Sequence, residues 1–415
     1  MEKALLVIPH INKKDEWNIE DIKEELKSLV LSVGGEVLEL MVCRLKEINA
    51  SYYIGKGKVY EISGRINALS ADVVIFDCDL SPAQQREIEN IVEVKVIDRT
   101  QLILDVFARR AKSNEGKIQV ELAQLNYLLP RLSGKGIELS RLGGGIGTRG
   151  PGEQKLEIDR RRIKEKISRL KADLDILRGR RDNLRIQRRR HSLPLISLVG
   201  YTNAGKSSLL NALTRSNVEA DKRLFCTLDA VTRKLPLSNH QNVLLTDTVG
   251  FLHNLPHGLI ESFKATLEEV QGADLLIHVI DVSTHLLDEK FKSVNRVLQE
   301  LGADRKPVIN VLNKIDQASS KKFIKRMEDE FPDSAAVSCL TGEGLDNLMD
   351  LIMRKLDYLN TTIKLFIPFS RMDIVSEISA NGDVLEKEFT EDGVNIKARL
   401  PKIMADRLKS KLNPS

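Results

Sequence analysis

Gly200-Tyr201-Thr202-Asn203-Ala204-Gly205-Lys206-Ser207 fits the spacing Gly-x4-Gly-Lys-Ser, between the apolar run "LPLISLV" and the helix-favouring run "KSSLLNALT". Two glycines at that spacing let a backbone wrap a phosphate so that successive N–H groups face its oxygens. The N-terminus of the helix that follows adds a favourable dipole. Lys206 is then placed to reach the β- and γ-phosphates, Ser207 to offer its hydroxyl to Mg2+, and Ser208 stands in the same first turn. Three further motifs follow in order, each after a strand-like run. In Asp247-Thr248-Val249-Gly250 the carboxylate is expected to hold the Mg2+ shell through water, and the Gly250 amide to meet a γ-phosphate. In Asn313-Lys314-Ile315-Asp316 the aspartate could accept hydrogen bonds from the ring N–H and exocyclic amine of guanine, a pair that adenine does not present. Asn313 would brace that loop and the Lys314 stem would lie along the base. Ser338-Cys339-Leu340 ends the next run, where a backbone N–H could meet guanine O6. Any one of these motifs alone is an ordinary polar turn; the ordered set points to GTP and GDP as ligands.

With these motifs in place, other stretches carry a resemblance. "FCTLD" (Phe225, Cys226, Thr227, Leu228, Asp229), "RLGGGIGTRGPGE" (141–153) and "YIGKGKV" (53–59) look like the HflX-type GTPases, bacterial translation GTPases with eukaryotic relatives. The resemblance covers essentially the whole chain. It implies that Thr227 is the switch threonine, a Mg2+ ligand only when GTP is bound. Lys206, Thr227 and Gly250 are then the groups expected to act in catalysis. It also implies that the large (50S) ribosomal subunit is the partner, that the N-terminal region reaches toward the peptidyl-transferase centre, and that stalled or idle ribosomes are split. Cys226 and Cys339 depart from the family's more common Ala, and neither is expected to be a reactive thiol.

Phe251 follows Gly250 where Ras-like switches carry a glutamine that orients the attacking water. A phenyl ring cannot do that, so slow intrinsic hydrolysis and stimulation by ribosomes are expected. Asn203 resembles the asparagine with which some related GTPases use K+ as a stabilising charge.

The elements that must position these residues divide the 415-residue chain into parts. Residues 1–110 alternate strand and helix patterns, which predicts a small parallel α/β sheet covered on both faces, with strands at 3–9, 36–43, 72–76 and 94–98. Within 111–191, apolar residues recur at spacings of three and four through Ile118, Leu122, Leu125, Leu128, Leu129 and Leu132. They recur again through Ile163, Ile167, Leu170, Leu174, Leu177 and Leu184. Two such runs predict a long antiparallel helical hairpin, joined by a glycine-rich loop at 133–153. Residues 192–358 read as a Ras-like P-loop GTPase domain. Residues 359–415 read as a small α+β domain of strands with turns at Asn381-Gly382 and Asp392-Gly393, then a helix.

The net charge of +5 is concentrated in the hairpin. Residues 155–190 hold 15 Lys/Arg against 6 Asp/Glu, a net of +9, so the rest of the chain sums to −4. Some of that is offset by pairs such as Glu157–Arg161. The surplus suits RNA phosphates, and the lack of Phe, Tyr or Trp there favours recognition of shape and backbone over base stacking. Lys135, Arg141 and Arg149 in the loop extend this basic character.

Four scattered cysteines and an acidic, short-run N-terminus predict a reduced, cytoplasmic setting without a membrane span, and a monomer is expected. Two alternatives stay open. One is an RNA- or ribosome-assembly switch with negligible turnover. The other is a tRNA-modification GTPase, against which stands a C-terminal "RLKSKLNPS" without cysteine.

Overall fold

The computed structural model describes residues 1–11, 17–132, 151–190, 193–216, 229–238, 241–253, 264–318 and 320–412. They form two compact units, the first chiefly Met1–Arg178 and the second chiefly residues 179–412.

In the first unit four parallel strands lie in the order β2-β1-β3-β4: β1 (Lys3–Ile11), β2 (Glu36–Leu45), β3 (Val73–Phe76) and β4 (Lys95–Ile97). Helices α1 (Ile19–Ser32), α2 (Lys56–Leu69) and α3 (Pro82–Val92) supply the crossovers that parallel pairing requires. Side chains alternate along β1. Leu5 and Val7 pack with Val59 and Ile62 of α2 and Ile88 of α3, while Ala4 and Leu6 are buried as well. The sheet therefore has two covered faces. A helix not expected from the sequence follows β4: α4 (Arg99–Arg110). Its signal was Asp98, read as the last strand residue, whose carboxylate instead caps the helix by accepting from the Gln101 N–H at 2.8 Å. Next to it Arg99 is 3 % exposed and pairs with both Glu25 and Asp77, so its buried charge is compensated.

Helix α5 (Asn114–Arg131) and helix α6 (Pro151–Arg190) form the hairpin. Leu122, Ile167 and Leu170 make its seam, with Ile118, Leu125, Leu129, Ile163 and Leu174 packed around them, and Lys166 pairs with Glu121 across it. Leu128 does not belong to the seam. It is 43 % exposed, because it lies about 90° around the helix from the stripe through 118, 122, 125 and 129. Helix α6 already begins at Pro151, a residue suited to a first helical position, so residues 151–153 are helical where the sequence predicted loop. Lys135, Arg141 and Arg149 lie outside the described residues, as do the side chains of Leu184 and Arg188–Arg190.

The second unit contains a six-stranded sheet in the order β10-β9-β8-β5-β7-β6. Its strands are β5 (Leu195–Gly200), β6 (Val231–Pro236), β7 (Asn242–Asp247), β8 (Leu275–Asp281), β9 (Val308–Asn313) and β10 (Ser334–Val337). All pairs are parallel except β6–β7. β6 was not expected from the sequence: "VTRKLP" is a half-exposed edge strand whose charged residues mask its period. Helices α7 (Lys206–Thr214), α8 (Lys264–Gly272), α9 (Leu287–Glu300), α10 (Lys321–Glu330) and α11 (Leu345–Leu356) complete this part. Its core gathers Ile196 and Leu198 of β5, Leu209 and Leu210 of α7, Ile277 and Val279 of β8, and Leu348 and Ile352 of α11.

A three-stranded antiparallel sheet follows in the order β11-β13-β12: β11 (Asn360–Pro368), β12 (Asp383–Phe389) and β13 (Gly393–Pro401). The Asp392-Gly393 turn does join two strands. Asn381-Gly382 does not, because Asn381 ends helix α12 (Met372–Asn381), whose buried Ile374, Val375 and Ile378 repeat at helical spacing. Helix α13 (Lys402–Leu412) closes the domain.

Candidate nucleotide site

The four motifs converge at the C-terminal ends of β5, β7, β9 and β10, the edge at which open α/β sheets bind ligands. β5 is buried along its whole length and delivers the phosphate loop. Two of the loop glycines are required by close approach. A Cβ on Gly200 (φ +152°) would lie 2.4 Å from the Val279 carbonyl oxygen, and one on Gly205 (φ +99°) would lie 2.2 Å from the Asn313 Nδ2. Asn203 is exposed and takes the left-handed conformation at φ 61°. Gly205 is also the N-cap of α7, so Lys206, Ser207 and Ser208 form its first turn with their amides at the positive end of the helix dipole.

Lys206 is 7 % exposed, and its ammonium donates to the Gly200 and Tyr201 carbonyls at 3.2 and 2.9 Å. Its chain is thereby folded back over the loop. The Ser207 hydroxyl donates to Asp247 at 2.6 Å, joining the start of α7 to the end of β7. Thr248, fully buried, donates to the Leu198 carbonyl at 2.5 Å and pins the chain leaving β7 against β5. Val249 is buried, and Gly250 lies against Thr202 and the Lys206 ammonium, each about 3 Å from where its Cβ would be. The phenyl ring of Phe251 is 1 % exposed, turned into the core.

At the other end of the site, Asn313 donates to the Ala204 carbonyl at 2.9 Å and accepts from the Cys339 N–H at 3.3 Å. One side chain thus ties the phosphate loop, the β9 loop and the β10 loop together. Lys314 (φ 67°) pairs with Asp281 at 2.5 Å, and Asp281 also accepts from the Ser283 amide and hydroxyl at 2.9 and 2.6 Å. Ile315 and Asp316 form a short 3-10 turn, and the buried Ser338 donates to Asp316 at 2.6 Å. Cys339 has its thiol pushed up to about 12 by burial, with the Asp316 carboxylate adding to the shift, so it stays protonated. Leu340 is 83 % exposed.

The structure therefore brings together every sequence-predicted residue of the phosphate loop, the 247–250 segment, 313–316 and 338–340. Asp229 lies two residues before the start of β6. Phe225, Cys226, Thr227 and Leu228 lie outside the described residues. What sequence reasoning missed is Asp281, whose only signal was its place at the end of β8, and the part played by the Tyr201 side chain. The Tyr201 hydroxyl accepts from the His253 N–H at 2.7 Å.

Family models match nearly the whole chain. They are described as the N-terminal region (residues 20–108) and middle region (110–188) of GTP-binding GTPases, a 50S ribosome-binding GTPase (195–314) and the HflX C-terminal domain (323–414). The GTPase HflX of Caldanaerobacter subterraneus is 44% identical over 409 residues, covering 99% of this chain and 93% of that protein. The GTPase HflX of Escherichia coli is 40% identical, covering 96% and 94%. Among solved structures, a GTP-binding protein from Sulfolobus solfataricus in complex with GDP is 27% identical over 86% of this chain and 100% of that one, at a TM-score of 0.43. The chain belongs to the HflX family of GTPases, and its chemistry is the hydrolysis of GTP.

Proposed function

We propose that this GTPase binds the large ribosomal subunit in its GTP state and couples nucleotide binding and hydrolysis to splitting stalled or idle ribosomes. The observation that carries the reading is Phe251. The position after Gly250 holds an apolar ring that is buried, so no side chain there orients a water for attack on the γ-phosphate. Hydrolysis then waits on a partner that completes the site. The name of the matching GTPase-domain model and the basic surface of α6 both favour a ribosomal one.

The chain's own residues divide the work. The phosphate-loop amides and Lys206 hold the β- and γ-phosphates, and the Gly250 amide faces the γ-phosphate. Asp316 and the 338–340 loop select guanine. Ser207 and Asp247 offer a hydroxyl and a carboxylate, oxygen donors of the kind Mg2+ takes alongside substrate phosphates, with Asp247 acting through water and Thr227 joining in the GTP state. Mg2+ there would neutralise charge developing on the phosphates. Asn203, exposed at the outer lip of the loop, is the residue for a K+.

Ribosome contact is assigned to residues 155–190 and the glycine-rich stretch 133–153. On α6 the exposed Arg161 and Arg162 make ion pairs with Glu165 and Asp159 at 3.2 and 3.9 Å. Such surface pairs are weak enough to be exchanged for phosphates. Among the described residues no helix is long and apolar enough to cross a membrane. We assign the protein to the cytoplasm, as a monomer.

The test is GTP turnover in K+ and in Na+ buffers, with and without purified 50S subunits, for the wild type and a Glu triple variant at Arg188, Arg189 and Arg190. A large rise with 50S that the variant loses, with free GTP affinity unchanged, is the expected result. No rise would leave the assembly-switch reading in its place, and equal rates in K+ and Na+ would remove the K+ assignment.

A further inference from the structure

The parallel pairing of β5 with β7 does not end at Asp247. It runs to Leu198↔Asp247, lapses, and resumes as a bridge between Tyr201 and Phe251. Two residues (199 and 200) span the gap on one side and three (248–250) on the other, so the segment carrying Gly250 is a bulge bounded by sheet pairing at both ends. The far boundary is made of three hydrogen bonds. The Phe251 N–H donates to the Gly200 carbonyl at 3.1 Å, the Thr202 N–H donates to the Phe251 carbonyl at 2.8 Å, and the His253 N–H donates to the Tyr201 hydroxyl at 2.7 Å. The first two are backbone bonds that any sequence could make; the third depends on one side chain.

Tyr201 is itself held. Its side chain is 6 % exposed, and the Lys290 ammonium of α9 lies 5.3 Å from its ring centroid while donating to the Thr284 hydroxyl at 3.0 Å. The hydroxyl thus reaches the segment after Gly250.

We infer that Tyr201 is a positioning residue for hydrolysis: its hydroxyl holds residues 250–253 in register so that Gly250 stays beside the Lys206 ammonium, and it acts on rate rather than on nucleotide affinity. The inference rests on the reading of this site as the one that hydrolyses GTP. It assigns the first variable position of the phosphate loop a task that the loop's phosphate contacts do not include. It also accounts for a burial. With Phe251 locked into the bridge, the residue at the usual water-orienting position cannot swing toward the nucleotide, and the backbone amide of Gly250 becomes the fixed element of this segment.

The test is the Tyr201→Phe variant of the full chain, which keeps the ring and removes only the hydroxyl. Single-turnover GTP hydrolysis is expected to slow about 3- to 10-fold, the effect of losing one hydrogen bond, while GTP and GDP affinities stay within twofold of wild type. Amide hydrogen exchange of residues 250–253 is expected to quicken, with the rest of the domain unchanged. An unchanged hydrolysis rate, unchanged exchange at 250–253, or a loss of nucleotide affinity matching the loss of rate would each overturn the inference. Lys206→Ala, measured alongside, separates the two readings. If wild type is no faster than Lys206→Ala, the assignment of hydrolysis to this site has failed. If wild type is faster and Tyr201→Phe equals it, only the role of Tyr201 has failed.

Discussion

The base end and the phosphate end of the nucleotide site are built differently. At the base end, side chains tie loops to one another: Asn313 spans three of them, Ser338 holds Asp316, and Asp281 holds Lys314. At the phosphate end the constraints are mostly backbone: glycines that admit close approach, carbonyls that accept from Lys206, and a sheet bridge that ends in Phe251. The side-chain-tied end is the one proposed to select the base, and its loops are joined to one another by residues of this chain. The backbone-tied end carries the buried Phe251 after Gly250, and in the function proposed above its turnover waits on a docking partner.

The largest break in this comparison comes from Lys206→Ala. It removes the ammonium that faces the phosphate loop and leaves the base end intact. Hydrolysis is expected to fall by about 10²–10³-fold or to background, as when a preorganised donor at a reacting centre is lost. GDP should still bind through the amides and the base contacts. Rapid-quench hydrolysis set beside GDP titration reads both; equal losses in rate and in GDP affinity would mean that the ends are not separable.

Asp316→Asn strikes the other end. An amide retains an acceptor for Ser338 but places a donor opposite the guanine amine, so two charge-assisted hydrogen bonds weaken. GTP affinity is expected to drop by about 10²-fold, while xanthosine triphosphate, which presents a carbonyl at that position, binds better than it does to wild type. Retained guanine preference in a competition titration would remove Asp316 from base recognition.

The two ends were not equally legible in the sequence. The phosphate loop, Asp247, Gly250 and Asn313–Asp316 are short, contiguous signatures whose chemistry needs fixed spacing, so the residues announced themselves. The cross-loop bonds did not: Asn313 to Ala204 and Lys314 to Asp281 join residues 109 and 33 apart in sequence, and nothing local marks them. The same division holds for the fold. Buried strands and the hairpin seam followed from apolar period, whereas β6, α4 and α12 were missed. A charged edge strand hides its alternation, Asp98 served as a cap where a strand end was read, and Asn381-Gly382 ends a helix with the residues of a hairpin turn. Leu128 shows that an apolar residue can match a spacing and still face solvent.

His278 lies between the two ends, on β8, paired with Val199 of the phosphate strand on one side and with Asn310 of the base strand on the other. It is 2 % exposed and stacks on Phe291 with centroids 5.0 Å apart. Burial lowers its pKa from the ordinary 6.5 to about 3, and the positive charge of Lys206 adds to the shift. Above pH 6.5 neither the folded nor the unfolded chain protonates this ring, and its contribution to stability is fully present. As pH falls from 6.5 toward 3 the unfolded chain takes up a proton that the folded one refuses. Stability then erodes by about 1.4 kcal/mol per pH unit from this group. Urea unfolding of wild type and His278→Asn at pH 7.5, 6.5 and 5.5 isolates it. Wild type is expected to lose about 1.4 kcal/mol more than the variant over that range, although the variant starts less stable for want of the ring stack. Parallel pH dependences would mean that the ring titrates equally in both states, and the strand joining the two ends would then be wetter than its burial indicates.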